Sequence, residues 1–281
     1  DDLLLWSEAA SFESLETILT SDLSIMDKYY KEWRLTPNPA KSEVTAFHLN
    51  NWEASRTLNV SFGGVMLKHN PNPVYLGLTL DRSLTFKNHL SGLSKKIAAR
   101  VNIIQKLAGS SWGASANTLR TATLALVFSP AEYVAPAWKN SAHVSKVDTQ
   151  LNQAMRIITG CIRPTDVHWL PVLSNIAPPT IRREKAAHKI YNKFRDKIDS
   201  LLFNFITNIP PARLKSRRSP FQEINESFDG NERWKRLWSE NRPFNGELIQ
   251  DPSEEVPGFD LPRSIWTYLN RFRPGQGRCI Y

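Results

Sequence analysis

The sequence predicts an α+β fold, and three observations carry the prediction. Apolar residues recur at helical spacing over 11–34, fall into short strand-like runs over 44–80, and return to helical spacing from about residue 86. Prolines and glycines punctuate each change of period. The 281 residues are 41% hydrophobic and include nine Trp, thirteen Phe and seven Tyr, which is ample core material and excludes wholesale disorder. The expected organisation is a mixed unit at 1–81, a helical unit at 82–210 and a partly disordered segment at 211–281.

In the first helix, Leu15, Ile18, Leu19, Leu23, Met26, Tyr29, Tyr30 and Trp33 fall three and four apart. Ser11 suits its start, and Thr36-Pro-Asn-Pro39 ends it, because proline cannot continue a helix. Strand-like runs follow at Val44–Phe47, Leu58–Phe62, Val65–Leu67 and Val74–Leu80. Gly63-Gly64 between two of them predicts a hairpin. Next comes a helix with Leu90, Leu93, Ile97, Val101, Ile104 and Leu107 on one face and Lys95, Lys96, Arg100 and Lys106 off it, with Gly109 as its expected cap. Further helices are expected at Asn117–Phe128, stopped by Pro130, at Ser141–Thr159, closed by Gly160, and from about Thr180 to Phe203. In the last of these, Arg182, Lys185, Lys189 and Lys193 form a row opposite Ala187, Ile190, Tyr191 and Phe194. Beyond Pro210-Pro211, a basic Arg213–Arg218 run and a segment rich in Asn, Pro, Glu and Gly suggest loose order.

Net charge is +9, unevenly spread. Residues 1–81 hold six Lys/Arg against eleven Asp/Glu, 82–131 hold seven basic residues and no acid, and 132–281 hold 23 against 16. A fifty-residue stretch without a carboxylate suits a surface facing phosphates, and equally a solvated basic face. Two cysteines, Cys161 and Cys279, cannot build a disulfide framework or a four-ligand zinc site, which points to a reducing compartment. No run approaches the ~18 apolar residues of a membrane span. The first residues, Asp1-Asp2 before Leu3-Leu-Leu-Trp6, offer neither an initiator Met nor a signal peptide's basic start, so the sequence is expected to begin in mid-protein.

Chemistry-bearing patterns are few. The six histidines show no metal-ligand spacing, and no serine sits in a nucleophile elbow. Gly63-Gly64 is a turn and not a phosphate loop. Asp1-Asp2, a carboxylate pair ahead of an apolar run, suits a hard cation such as Mg²⁺, although most adjacent aspartates only start turns or helices. Arg271–Arg278, basic with an interleaved Phe272, suits nucleic acid or a flexible terminus.

Taken in order, these pieces resemble the reverse transcriptase of non-LTR retrotransposons, of the jockey-like type. Asp1-Asp2-Leu-Leu-Leu resembles the end of the palm motif in which two aspartates form a turn between strands, and Trp33-Arg-Leu-Thr-Pro-Asn-Pro-Ala-Lys-Ser-Glu43 the palm motif that follows. Tyr75-Leu-Gly-Leu-Thr-Leu-Asp81 resembles the primer-grip hairpin. Leu84–Leu90, Trp112-Gly113, Ser129–Trp138, Asn152–Gly160 and Pro178–Arg183 are similar to the thumb and the region after it. Leu261–Trp266 and Leu269–Cys279 resemble the approach to a C-terminal Cys/His segment.

The resemblance implies a partial palm, a helical thumb and a linker to a truncated C-terminal segment. It implies an RNA-directed DNA polymerase, a nucleotidyltransferase, acting inside the cell in nucleus or cytoplasm. Asp1 would be a ligand of catalytic Mg²⁺ with Asp2 beside it, and Lys41 would lie near the incoming dNTP. Tyr75, Leu76 and Gly77 would hold the primer end. The cations Lys95, Lys96, Arg100, Arg182, Lys185, Lys189 and Lys193 would follow the RNA template and DNA primer, a sequence-independent task. The fingers and the motif with the first catalytic aspartate do not occur in the sequence, so the chain alone is expected not to polymerise. Val134 stands where the family often has Gly. The alternative is a non-catalytic, basic helical module that binds nucleic acid.

Overall fold

The computed structural model describes residues 3–209, 218–222, 224 and 227–276. Asp1, Asp2, residues 213–217 of the basic run, Arg278 and Cys279 therefore lie outside the described residues. The fold is α+β as expected, with long helices and only two-residue strands. Contacts divide it into two units, residues 1–88 and 89–281.

In the first unit, α1 (Phe12–Glu32) starts where Ser11 accepts a hydrogen bond from the Ser14 amide at 3.2 Å. It stops before the prolines are reached. The Leu35 amide donates to the Tyr30 carbonyl at 2.8 Å and the Arg34 amide to that of Lys31 at 3.2 Å, with Arg34 at φ 55° in the left-handed region. This paired closure satisfies carbonyls that the helix end would otherwise orphan. The apolar face of α1 covers a small core of Phe12, Val44, Leu58 and Val60. Glu16 Oε1 fastens it further by accepting from the Asn59 amide at 2.9 Å.

Three small sheets follow. β1 (Glu43–Val44) pairs in parallel with β4 (Lys68–His69), while β2 (Ser61–Phe62) and β3 (Val65–Met66) form the hairpin predicted around Gly63-Gly64. β5 (Val74–Tyr75) and β6 (Leu78–Thr79) form a second hairpin, with Val74 opposite Thr79 and Tyr75 opposite Leu78.

Helix α2 (Lys87–Gln105) buries Leu90, Leu93, Ile97, Val101 and Ile104 as predicted, but Leu107 lies beyond it and is exposed. Gly109 does not cap it. A Cβ there would lie 2.4 Å from Nε1 of Trp112, so the glycine makes room for an indole lying on its backbone. Pro130 does not stop the next helix either. α3 (Ala116–Thr123) runs through a π-helical turn (Leu124–Phe128) into α4 (Ser129–Glu132), and the wide turn accommodates the proline. After α5 (Ala135–Trp138), α6 (Ser145–Thr159) ends at Gly160 as predicted, with φ 73°. α7 (Trp169–Ser174) packs on α6 and is buried throughout.

The helix expected over 180–203 is two. α8 (Pro179–Phe194) breaks after Phe194, and α9 (Leu201–Thr207) restarts after Ser200, which accepts from the Leu202 amide at 3.3 Å. The loose order expected beyond Pro211 does not describe 227–276. α10 (Gly230–Glu240) and α11 (Arg263–Phe272) bury Trp234, Trp238 and Trp266, with Trp238 packed edge-on to Trp169 at 5.3 Å. Polar composition hid this, because a few well-spaced tryptophans fix both helices.

Candidate functional site

The resemblance assigns chemistry to Asp1 and Asp2, which lie outside the described residues. Among the described residues no three His, Cys, Asp or Glu side chains converge to hold a metal ion. Lys41 is exposed on a short 3-10 turn, Pro39–Lys41, that precedes β1. Asn38 shapes that turn by accepting from the Ala40 amide at 3.1 Å, which explains why the Asn-Pro-Ala-Lys order matters locally.

Tyr75, Leu76 and Gly77 occupy the tip of the β5–β6 hairpin. Leu76 at φ 47° and Gly77 at φ 80° give the doubly positive turn that matches strand twist. Tyr75 and Leu76 present exposed rings and methyls, at 38% and 59% exposure. Asp81, at the end of the same motif, accepts from the Thr85 amide at 2.5 Å and from the Phe86 amide at 3.3 Å. The motif thus leads directly into the start of α2.

The cations of the acid-free stretch sort by type. All three arginines are spent on backbone carbonyls. Arg82 Nη1 donates to the carbonyl of Asn50 at 2.9 Å, Arg100 Nη1 to that of Leu126 at 2.8 Å, and Arg120 Nε to that of Asn175 at 2.8 Å. The Arg100 contact has a clear cause. Leu126 lies four residues before Pro130, which has no N–H to give it, and the guanidinium supplies the missing donor. By contrast Lys95, Lys96 and Lys106 are exposed and make no ion pair among the described residues. A planar fork suits fixed carbonyls, and a hydrated ammonium on a flexible stem suits water or phosphate.

The row on α8 divides in the same way. Arg182 is held by Glu132, with Nε and Nη2 on its two oxygens, and lies 5.2 Å from the Phe128 ring. Neighbouring Arg183 is buried and pairs through both Nη atoms with Asp148, at 2.6 and 2.9 Å. Lys185, Lys189 and Lys193 remain exposed. Arg100 and Arg182, expected among the nucleic-acid contacts, are therefore engaged by the protein's own groups. Their spacing within a basic face did not reveal these long-range partners.

The Arg271–Arg273 segment, expected at a flexible basic terminus, is also structural. Helix α11 closes the C-terminal end of α6. Arg263 donates to the carbonyls of Ile157, Ile158 and Gly109, Asn270 Nδ2 to that of Thr159 at 3.0 Å, and Arg271 Nε to that of Gly160 at 3.0 Å. Arg273 donates to the Pro257 carbonyl at 2.6 Å. A helix end leaves four carbonyls unbonded, and here one other helix takes all of them.

A cleft of about 720 Å³ opens beside this junction, between α6, the end of α2 and the 161–163 loop. The amides of Gln105, Gln150 and Gln153 and the guanidinium groups of Arg156, Arg163 and Arg263 line it beside Thr149, Ile157 and Cys161, with no carboxylate among its lining residues. Its signal in the sequence is slight: Gln150, Gln153 and Arg156 fall three apart on one helix.

Comparison with known proteins gives a consistent relationship. No family model matches the chain, and no solved structure does. The chain is 24% identical over 193 residues to a Pol polyprotein from type-1 retrotransposable element R1 4 of Nasonia vitripennis, covering 68% of this chain and 47% of that protein. It is 27% identical over 180 residues to a probable RNA-directed DNA polymerase from transposon BS of Drosophila melanogaster, covering 60% and 19%. It is 25% identical over 213 residues to the probable RNA-directed DNA polymerase from the X-element transposon of the same fly, covering 71% and 22%. The chain spans half or less of the length of these relatives. They are polyproteins and RNA-directed DNA polymerases of transposable elements, the class that the motif series resembles.

Proposed function

We propose, from a chain whose relatives are retrotransposon polymerases, that it supplies palm and thumb functions of an RNA-directed DNA polymerase. In this reading the helical unit holds the template–primer duplex by its phosphates. The observation that supports it is the division of cations: Lys95, Lys96, Lys185, Lys189 and Lys193 stay exposed, while arginines around them are bound internally. Contacts of this kind read no bases and weaken steeply with salt.

Within that reading Tyr75, Leu76 and Gly77 bear on the primer end and Lys41 on the incoming dNTP. Asp1 and Asp2 belong to the acidic cluster that holds Mg²⁺, which would activate the attacking hydroxyl and neutralise the departing pyrophosphate. Polymerisation needs a further carboxylate beside Asp1 and Asp2. The 281-residue chain by itself is expected to bind primed RNA without extending it. Incorporation of dNTPs by the purified chain, abolished by Asp1→Ala, would overturn that expectation. A gel-shift series across salt tests the binding itself. A steep fall in affinity with salt supports it, and a flat response removes both the polymerase reading and the alternative of a non-catalytic binding module.

A further inference from the structure

The cleft beside the α6–α11 junction has a composition that the lysine rows do not share. One wall is a single face of α6, where Gln150, Gln153 and Arg156 follow one another at three-residue steps. Gln105 at the end of α2, Gly109 and Ser110 also line it, as does the exposed Arg163. Its volume of about 720 Å³ falls within the ~300–1,000 Å³ of small-ligand sites.

Its electrostatics are one-signed. Among the described residues no carboxylate pairs with Arg156, Arg163 or Arg263. Arg156 makes only long contacts, 3.3 Å to the Arg163 carbonyl and 3.4 Å to that of Thr165, and its Nε is buried without a hydrogen-bond partner. Burial, and then the charge of Arg163, push the Arg156 guanidinium below its ordinary range.

An aromatic plane lies next to one lining residue, though it is not itself part of the lining. The Trp112 indole lies against Gly109, a cleft-lining residue, and is still 60% exposed. An exposed ring, guanidinium groups without a carboxylate partner among the described residues and side-chain amides together match the chemistry of unpaired nucleotides: a face to stack, phosphates to neutralise and base edges to hydrogen-bond.

We propose that this cleft binds a short single-stranded segment of nucleic acid, with a base on Trp112, phosphates at Arg156 and Arg163, and base edges at the glutamines. The site is separate from the lysine rows and rests on the polymerase reading only for the choice of ligand. RNA and DNA share this chemistry, and both serve as probes.

The experiment titrates fluorescent hexanucleotides, one of RNA and one of DNA, into the full chain and follows anisotropy. Parallel titrations use an RNA–DNA hybrid duplex. Trp112→Ala and Arg163→Glu, both at exposed positions, are expected to weaken hexanucleotide binding about tenfold or more while leaving duplex binding within twofold. Lys189→Glu is expected to do the reverse. A preference for RNA over DNA would show that the 2′-hydroxyl is read, and equal binding that it is not, with either result supporting the cleft. The proposal is overturned if neither hexanucleotide binds, if both cleft variants bind like the parent, or if inorganic phosphate displaces the hexanucleotide at matching concentration. Loss of duplex binding in Lys189→Glu alone bears on the lysine rows and leaves the cleft standing.

Discussion

Val134 sits at φ 52° and ψ 22°, a backbone region that a β-branched residue occupies at a cost of about 1–2 kcal/mol. The position joins α4 to α5, and glycine would reach it without strain. That is a physical reason for the glycine which the resembling family often carries there. Val134→Gly is expected to raise stability by about 0.5–1 kcal/mol after glycine's own entropy cost, read as a higher urea midpoint. Arg100 gives a second test at this scale. Arg100→Ala should cost only about 0.5–1 kcal/mol, because the Leu126 carbonyl is solvent-exposed and water can replace the donor, and it should leave the salt dependence of nucleic-acid binding unchanged. Lys189→Ala should do the opposite, lowering the salt slope by about one. His188 supplies a pH test. Burial, and then Lys139, hold its imidazole below the ordinary histidine range against the opposing pull of Glu184. The neutral form is favoured in the folded state, so this contribution is present above the unfolded value near 6.5 and lost as pH falls below it. The urea midpoint should therefore drop between about pH 6.5 and pH 5. His188→Phe, which keeps the stack on Phe228 at 4.3 Å, should reduce that drop.

Among elements, the junction of α6 and α11 is the most informative. Trp266 is fully buried and donates through Nε1 to the Ile158 carbonyl at 3.1 Å, while Arg263, Asn270 and Arg271 take the neighbouring carbonyls. Arg263→Met should lower stability by about 3 kcal/mol, since three carbonyls lose a charged donor. Amide exchange near 157–160 should rise ahead of that in α1. Local signals made other elements legible in advance: Ser11 before α1, Gly63-Gly64 in the first hairpin, Gly160 after α6. These depend on neighbours in sequence. Pro130 misled because proline stops a regular helix, whereas a π-turn with an arginine from α2 tolerates it. Nor was the packing of α10 and α11 legible, because their partners lie far away in sequence.

For the whole molecule, the charge pattern located the basic helices but not which of their cations the fold leaves exposed. An acid-free stretch marked the basic helices, yet it treated arginine and lysine alike, and only the fold separates cations bound to carbonyls and carboxylates from those left in water. Val74–Leu80 reads as one strand-like run, and only the resemblance implied the hairpin that the positive φ of Leu76 and Gly77 makes of it; the cleft at Arg156 was not legible, because its walls come from three separated segments. The central claim is that exposed lysines of α2 and α8 follow the phosphates of a template–primer duplex. The most direct test measures affinity for a primed RNA template across a salt series, for the parent chain and for a variant with Lys95, Lys96, Lys185 and Lys189 all changed to Ala. The account predicts a steep linear fall in log affinity with log salt for the parent. In the variant the slope should be shallower by about three to four, near 0.9 for each phosphate contact removed. Equal slopes in the two proteins would contradict it.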